Sequence, residues 1–247
     1  MTLSREPLQA VTFDLWNTLL YEERGHIRGL RVSAWAGLLE DAGYPMERAA
    51  VDAVMDRAWQ DYVRQWTANE RYDGAMAAER ALDTLGLKVP VELRADLVSA
   101  FTDAGERAEL HATPGIEGCL RALRDGGLQL GIVCDVGITA SPVLRAHLHR
   151  LGLLGFFDAW AFSDEVGVFK PDPAIFMHAL DRLGVKPWHA AHVGDLRRTD
   201  IAGAAELGMR TVRYTGVEDD PTEGEPEGDF VVASHDDVPG ILGVTAA

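Results

Sequence analysis

The chain has 247 residues, enough for one large domain or a domain carrying an insert, and its 47% apolar and 25% charged content is the ordinary globular mix. That excludes a disordered tail, a collagen-like rod and a membrane channel, and no run approaches the roughly 18 unbroken apolar residues of a membrane helix. With 23 Lys and Arg against 39 Asp and Glu the formal net charge is −16, so the surface repels nucleic acid and anionic lipid, and a phosphate-bearing ligand would need a local positive site.

The amino terminus, Met1 to Pro7, turns straight into a short apolar run that contains Asp14, which is not the pattern of a signal peptide. Cys119 and Cys134 have neither metal spacing nor a disulfide framework. Together these point to the cytoplasm. Ala10–Asp14 reads as a short buried strand that ends in an acid. Residues 26 to about 106 change to helical spacing, with apolar positions Leu30, Ala34, Leu38 and Leu39, then Val51, Val54, Met55 and Trp59. Gly43-Tyr44-Pro45 and Leu85–Pro90 break this block into separate helices. From residue 112 strands and helices alternate. Pro114–Gly126, Ser141–Leu151, Asp172–Leu183 and Ile201–Leu207 read as helices; Leu128–Cys134, Ala159–Ser163, Ala190–Asp195, Thr211–Tyr214 and Phe230–Ala233 read as strands. Val217–Asp229 reads as a solvated acidic loop. Repeated βα units imply right-handed crossovers and an α/β, doubly wound parallel sheet, Rossmann-like, with an inserted α-helical domain. The expected division is 1–20 with 107–247 for the α/β core and 21–106 for the helical insert. In such sheets ligands bind beyond the carboxyl ends of the strands.

Three groups sit where chemistry is expected: Asp14 at the first strand's end, Asp195 at a later strand's end with Asp200 five residues on, and Lys170 in Phe169-Lys170-Pro171-Asp172-Pro173. Any one alone is an ordinary cap or turn residue. Together they suit phosphoryl transfer. A carboxylate can attack phosphorus and form an aspartyl-phosphate, hard oxygen ligands hold Mg²⁺, and an ammonium stabilises the transferring oxygens.

These residues also carry a family resemblance. Phe13-Asp14-Leu15-Trp16-Asn17-Thr18 resembles the first motif of the haloacid dehalogenase-like (HAD) hydrolases, usually Asp-x-Asp-Gly-Thr. Leu130–Asp135 sits where the second motif ends in Ser or Thr. Glu165–Phe176 is similar to the third, and His192-Val193-Gly194-Asp195 with Asp200–Ala204 to the fourth, Gly-Asp-x-x-x-x-Asp. The four occur in order along nearly the whole chain, and the helical block lies where the family's first subgroup carries its cap. The resemblance implies Asp14 as nucleophile and Mg²⁺ ligand, the Trp16 backbone carbonyl and Asp195 as further ligands, Asp200 supporting them directly or through water, and Lys170 holding carboxylate and phosphate. It implies a phosphatase acting on a small phosphorylated metabolite.

The pattern departs in two motifs. Trp16 replaces the Asp that protonates the leaving oxygen, a role worth about 10²–10⁴-fold and one an indole cannot take. Glu22, Glu23 and His26 are candidate replacements. Cys134, a poorer donor than Ser or Thr, and Asp135, which would repel phosphate unless paired, stand at the expected substrate-binding positions. Two alternatives therefore stay open. Haloacid dehalogenases carry an aromatic residue at the Trp16 position, though they lack the acids of motif four. A catalytically degenerate binding scaffold is the other. Phosphonatases also lack the second Asp but use a cap lysine, and Lys88 is poorly placed for that. In the insert, Arg24, Arg28 and Arg31 share one helix face; Arg24 and Arg28 are candidates to grip a second anionic group, against the plainer reading of a solvated face. Trp35, Trp59, Tyr62 and Trp66 are cap core or an apolar pocket. Arg197 and Arg198 would lie near the site's edge. Nothing fixes the oligomeric state.

Overall fold

The computed structural model describes residues 7–244. The amino-terminal stretch read above as lacking a signal begins outside the described residues. The chain opens with strands β1 (Ala10–Phe13) and β2 (Leu20–Glu22), then helices α1 (His26–Asp41), α2 (Arg48–Thr67), α3 (Gly74–Leu85) and α4 (Val91–Asp103). Next come β3 (Leu110–Ala112), α5 (Ile116–Asp125), β4 (Gln129–Cys134), α6 (Ser141–Arg150), β5 (Ala159–Phe162), α7 (Ser163–Val166) and α8 (Pro173–Leu183). The remainder is β6 (Ala190–Gly194), α9 (Ala202–Glu206), β7 (Arg210–Tyr214), β8 (Phe230–Val232) and α10 (Val238–Ile241). The predicted strands are all present, with ends that differ by one residue: β7 starts a residue earlier than expected and the others are a residue shorter. Sequence reading missed β2 and β3, which pair with each other in a separate two-stranded sheet; three residues each are too short to show a period.

The six-stranded sheet has the order β5-β4-β1-β6-β7-β8, and every pairing is parallel. From β1 the chain winds outward through β4 and β5, then returns to place β6 on the other side. The winding thus reverses between β1 and β6, where a doubly wound sheet opens a crevice at its carboxyl edge. All four β1 residues, Ala-Val-Thr-Phe, are buried, as expected of a strand covered on both faces. Helix α8 shows how a face is closed. Pro173 sits in its first turn, the Asp172 carboxylate accepts the Ala174 N–H, and Gly184 ends it in the left-handed region at φ 67°. Ile175, Phe176, Ala179, Leu180 and Leu183 then pack on Val133, Ala159 and Ala161. Truncating Phe176 to Ala would cost about 3–5 kcal/mol.

Backbone contacts divide the chain into an α/β unit, comprising residues up to Tyr21, His111–Asp135 and Leu148 onward, and a helical unit of Glu22–Leu110 with Val136–His147. Against the expected division, unbroken from 107, this grouping starts the α/β unit again at His111 and places Val136–His147 with the helical unit. The cause is polar. Arg31 donates to the Ile138 carbonyl at 3.1 Å, a His147 ring nitrogen lies 2.8 Å from the Gly105 carbonyl, and Gly74 runs so close that a Cβ there would meet the Ile138 carbonyl oxygen at 2.8 Å. Helix α1 is also rotated from the expected face. Its buried residues are Ile27, Arg31, Val32, Trp35 and Leu39, with Leu30, Ala34 and Leu38 only half-buried. Trp35, the bulkiest, sets that face by donating its indole N–H to the Leu97 carbonyl at 2.8 Å. Trp59, expected inward, is 51% exposed.

Candidate active site

Asp14 is the first residue past β1 and Asp195 the first past β6, so the two carboxylates stand on either side of the sheet's reversal point. The Asp14 N–H donates to the Val193 carbonyl at 2.8 Å and extends the ladder into the site. Asp200 arrives from the next turn. Ligand atoms of Asp14, Asp195 and Asp200 all lie within 4.8 Å of one another, and all three residues are buried. Gly194 makes this convergence possible: a Cβ there would lie 2.4 Å from the Asp200 carboxyl carbon. Lys170, 2% exposed, donates to Asp14 Oδ1 at 2.5 Å and to Asp200 Oδ1 at 2.6 Å. The structure thus brings together four of the residues singled out in the sequence.

A second line of polar residues lies behind them. His192 Nε2 is 3.2 Å from Asp200 Oδ1, and its Nδ1 is 2.9 Å from the Thr12 hydroxyl. Burial lowers the His192 pKa, so the ring is neutral. An ionised Asp200 only accepts; Nε2 therefore carries the proton and Nδ1 accepts from Thr12. Sequence reading gave neither Thr12 nor His192 a role. Their signal was there: each is a polar residue in the middle of a buried apolar strand, and the β1–β6 register sets them opposite one another.

The electrostatics separate the three acids. Burial opposes ionisation of Asp200, but the Lys170 ammonium and the His192 N–H outweigh it and hold the carboxyl at about 2. Burial pushes Asp14 up to about 7, with Asp200 adding to the rise and Lys170 opposing it. Burial, then the nearby Asp14 and Asp200, pushes Asp195 well above the carboxylate range. Burial also works against the Lys170 charge, yet Asp14, Asp200 and Asp135 outweigh it and keep the amine protonated. The pocket therefore holds more carboxylate than its one ammonium can neutralise.

The loop after Asp14 is tightly fixed. Asn17 takes the left-handed conformation at φ 56°, which Asn tolerates better than most residues, and its amide nitrogen is 3.5 Å from Asp195 Oδ2. Its N–H donates to the Leu20 carbonyl at 2.7 Å. The Thr18 carbonyl accepts the Thr113 hydroxyl at 2.7 Å and His235 Nε2 at 2.8 Å. Trp16 is half-buried and bridges to Leu20.

The other candidates stand as follows. Asp135 accepts the Lys170 backbone N–H at 3.0 Å, so it braces the turn that carries the lysine. Cys134 is fully buried, and burial pushes its thiol well above the ordinary range; it is a neutral thiol at the end of β4. Arg28 is held by Asp52 at 2.8 Å and by Asp56, which bind α1 to α2. Arg31 is buried, donates to the Phe101 and Ile138 carbonyls at 3.0 and 3.1 Å, and lies over the Phe101 ring. Only Arg24 of the three is exposed. Trp35 is core of the helical unit, while Trp59, Tyr62 and Trp66 stack along α2. The acidic loop 217–229 is not merely solvated: Asp219 and Glu227 pair with Arg213, Asp220 accepts the Arg197 N–H, and Asp229 accepts the Thr211 N–H.

A family model for the haloacid dehalogenase-like hydrolases matches residues 8–208. The chain belongs to that family. This HAD-like hydrolase is 33% identical over 210 residues to a glyceraldehyde 3-phosphate phosphatase of Methanopyrus kandleri, covering 83% of each chain. It is 32% identical over 213 residues to (S)-2-haloacid dehalogenase 1 of a Pseudomonas species, covering 86% of each. Among solved structures, a HAD phosphatase from Thermococcus onnurineus superimposes with a TM-score of 0.67 at 26% identity, over 97% of this chain and all of that one. The doubly wound fold expected from the sequence is thus the HAD fold, and the protein is a hydrolase.

Proposed function

We propose that this HAD-like hydrolase is a Mg²⁺-dependent phosphatase that passes a phosphoryl group from a small phosphorylated metabolite to Asp14 and then to water. The observation that carries the reading is the buried set of Asp14, Asp195 and Asp200 around Lys170. Fully ionised, the three carboxylates and one ammonium would carry a formal charge of −2, an excess that shows in the raised pKa values of Asp14 and Asp195. A hard divalent cation with oxygen preference fits that donor set in both charge and ligand type. Asp14, Asp195 and the Trp16 carbonyl would hold it, with Asp200 directly or through water. When bound, it would offset the pocket's excess negative charge and polarise phosphoryl oxygens.

The chain's own residues do the rest. An Asp14 oxygen attacks phosphorus, the bond from phosphorus to the leaving oxygen breaks, and an acyl phosphate forms on Asp14. Lys170, already 2.5 Å from Asp14 Oδ1, orients that carboxylate and stabilises charge on the transferring oxygens. Water then attacks the same phosphorus, the bond to Asp14 breaks, and phosphate leaves. The departing alkoxide needs a proton that Trp16 cannot give, so good leaving groups are favoured. The helical unit is the family's cap in this reading and selects substrate by gating. Arg24 remains its candidate anion contact; the Asp52 and Asp56 pairs argue against Arg28. The Methanopyrus relative makes short-chain sugar phosphates the first class to test. Two free, buried cysteines fit a reducing cytoplasm.

Trp16 and the Pseudomonas relative favour a second reading, halide displacement by Asp14. Three converging carboxylates argue against it, because displacement of halide from carbon needs no cation. A panel of phosphate monoesters assayed with Mg²⁺ and with EDTA, beside chloride release from 2-chloropropionate, separates the two. Phosphate release that needs Mg²⁺ and is lost in Asp14→Asn is expected. Chloride release in EDTA with no phosphatase turnover would overturn the assignment.

A further inference from the structure

The loop after β7 is built into the turn that carries the site's carboxylates. Asp220 is 7% exposed. It lies 23 residues past Arg197, yet its Oδ2 accepts the Arg197 backbone N–H at 2.8 Å. Its Oδ1 accepts the Thr222 N–H at 2.9 Å and the Thr222 hydroxyl at 2.6 Å, which fixes the carboxylate's orientation. Glu227 ties the same loop down by spanning Arg197 at 2.7 Å and Arg213 at 2.5 Å. Arg213 pairs with Gly194 in the β6–β7 register, beside the root of Asp195.

The turn itself, Arg197–Ile201, is a π-helix, a rare wide ring found often at functional sites. The Asp200 and Ile201 N–H groups share the Leu196 carbonyl, at 3.0 and 3.2 Å. Opening N–H groups of a helical turn have no partner within it. Two carboxylates divide them here. Asp200 Oδ2 accepts from Leu196 N at 3.0 Å, and Asp220 accepts from Arg197 N. Asp200 lies inside this turn, so a change in the turn's pairing moves its carboxylate relative to Lys170.

We propose that Asp220 is a positioning residue for the cation site: by holding the Arg197 N–H it fixes the π turn, and with it the separation of the Asp195 and Asp200 carboxylates. This rests on the cation reading above. Asp220 acts through the backbone and contacts neither cation nor substrate.

Mg²⁺ binding to the full chain, followed by titration calorimetry, tests this without recourse to turnover. The parent, Asp220→Ala, Asp220→Asn and Asp219→Ala are compared, with the melting temperature in EDTA as the check on folding. Asp220→Ala is expected to weaken Mg²⁺ about tenfold or more, the scale seen when outer-shell partners of metal ligands are lost. Asp220→Asn keeps one acceptor oxygen and should lose less; it is the variant read if Asp220→Ala does not fold. Asp219→Ala, whose ion pair is with Arg213, should bind within about twofold of the parent. The proposal is overturned if the folded Asp220 variant binds as the parent does, or if Asp219→Ala loses as much. A parent that binds no Mg²⁺ overturns the cation reading itself, and this inference with it.

Discussion

His192 stands directly behind Asp200, with Nε2 3.2 Å from the carboxylate oxygen that also accepts from Lys170. The Thr12 hydroxyl, 2.9 Å from Nδ1, donates to that nitrogen and so supports the tautomer that Asp200, an acceptor only, imposes. Thr12→Val removes that support and leaves a similar volume. We expect kcat on an aryl phosphate to fall about tenfold, in line with the loss of other outer-shell partners, while KM changes little. Thr12→Ser should restore most of it. Equal rates in parent and Thr12→Val would show that the tautomer is fixed without the hydroxyl.

The charge imbalance predicts opposite stability changes at two neighbouring residues. In EDTA, Asp14→Asn relieves a buried carboxylate crowded by Asp195 and Asp200, while Lys170 keeps Asp200 as partner. Its melting temperature should equal or exceed the parent's; about 1 kcal/mol corresponds to roughly 2–4 °C in a domain this size. Lys170→Met leaves three buried carboxylates with no cation and should cost about 3–5 kcal/mol. Thermal unfolding of both variants in EDTA checks the signs. A strongly destabilised Asp14→Asn would mean that Asp14 is held more by its pairing than it is burdened by burial.

The alternation of strands and helices, the six-stranded sheet and the position of Asp14, Asp195, Asp200 and Lys170 were legible because each rests on local pattern: a run of apolar residues closed by an acid, or a Pro-rich helix start. The partition of 136–147 was not. It depends on Arg31, which looks like a surface residue on α1 and is instead buried against two carbonyls. The role of Asp220 was hidden for a related reason. A carboxylate in an acidic, Gly/Pro-containing stretch gives no sign that one of its oxygens will cap a backbone N–H far back in the chain. Thr12 and His192 were readable in principle, since a polar side chain inside an all-buried strand needs a partner, but finding that partner needs the strand register.

Trp16 predicts a dependence on the leaving group. With no acid at residue 16, turnover should rise steeply as the leaving oxygen becomes less basic, so that aryl phosphates react much faster than alkyl ones. Trp16→Asp places a carboxyl at a half-buried position and should raise alkyl phosphate turnover about tenfold or more, within the range general acid catalysis supplies, with little gain on aryl substrates. Rates of a substrate series plotted against leaving-group pKa give the answer. A flat dependence in the parent would mean that another group already delivers the proton.

His235 predicts how the fold responds to acid. It is fully buried, stacks on Tyr214 with ring centroids 4.0 Å apart, and donates Nε2–H to the Thr18 carbonyl at 2.8 Å. Burial lowers its pKa from 6.5 to about 4, against the opposing pull of the Thr18 carbonyl and Asp236. The unfolded chain therefore binds this proton first. The stabilising contribution of the neutral ring is complete above about pH 6.5 and declines as pH falls towards 4, by roughly 3 kcal/mol in all. His235→Gln keeps a donor for Thr18 but cannot titrate. Urea unfolding at pH 7.5 and pH 4.5 should show the parent losing about 2–3 kcal/mol more than the variant over that interval. Parallel losses in the two proteins would place the acid sensitivity in the carboxylates instead.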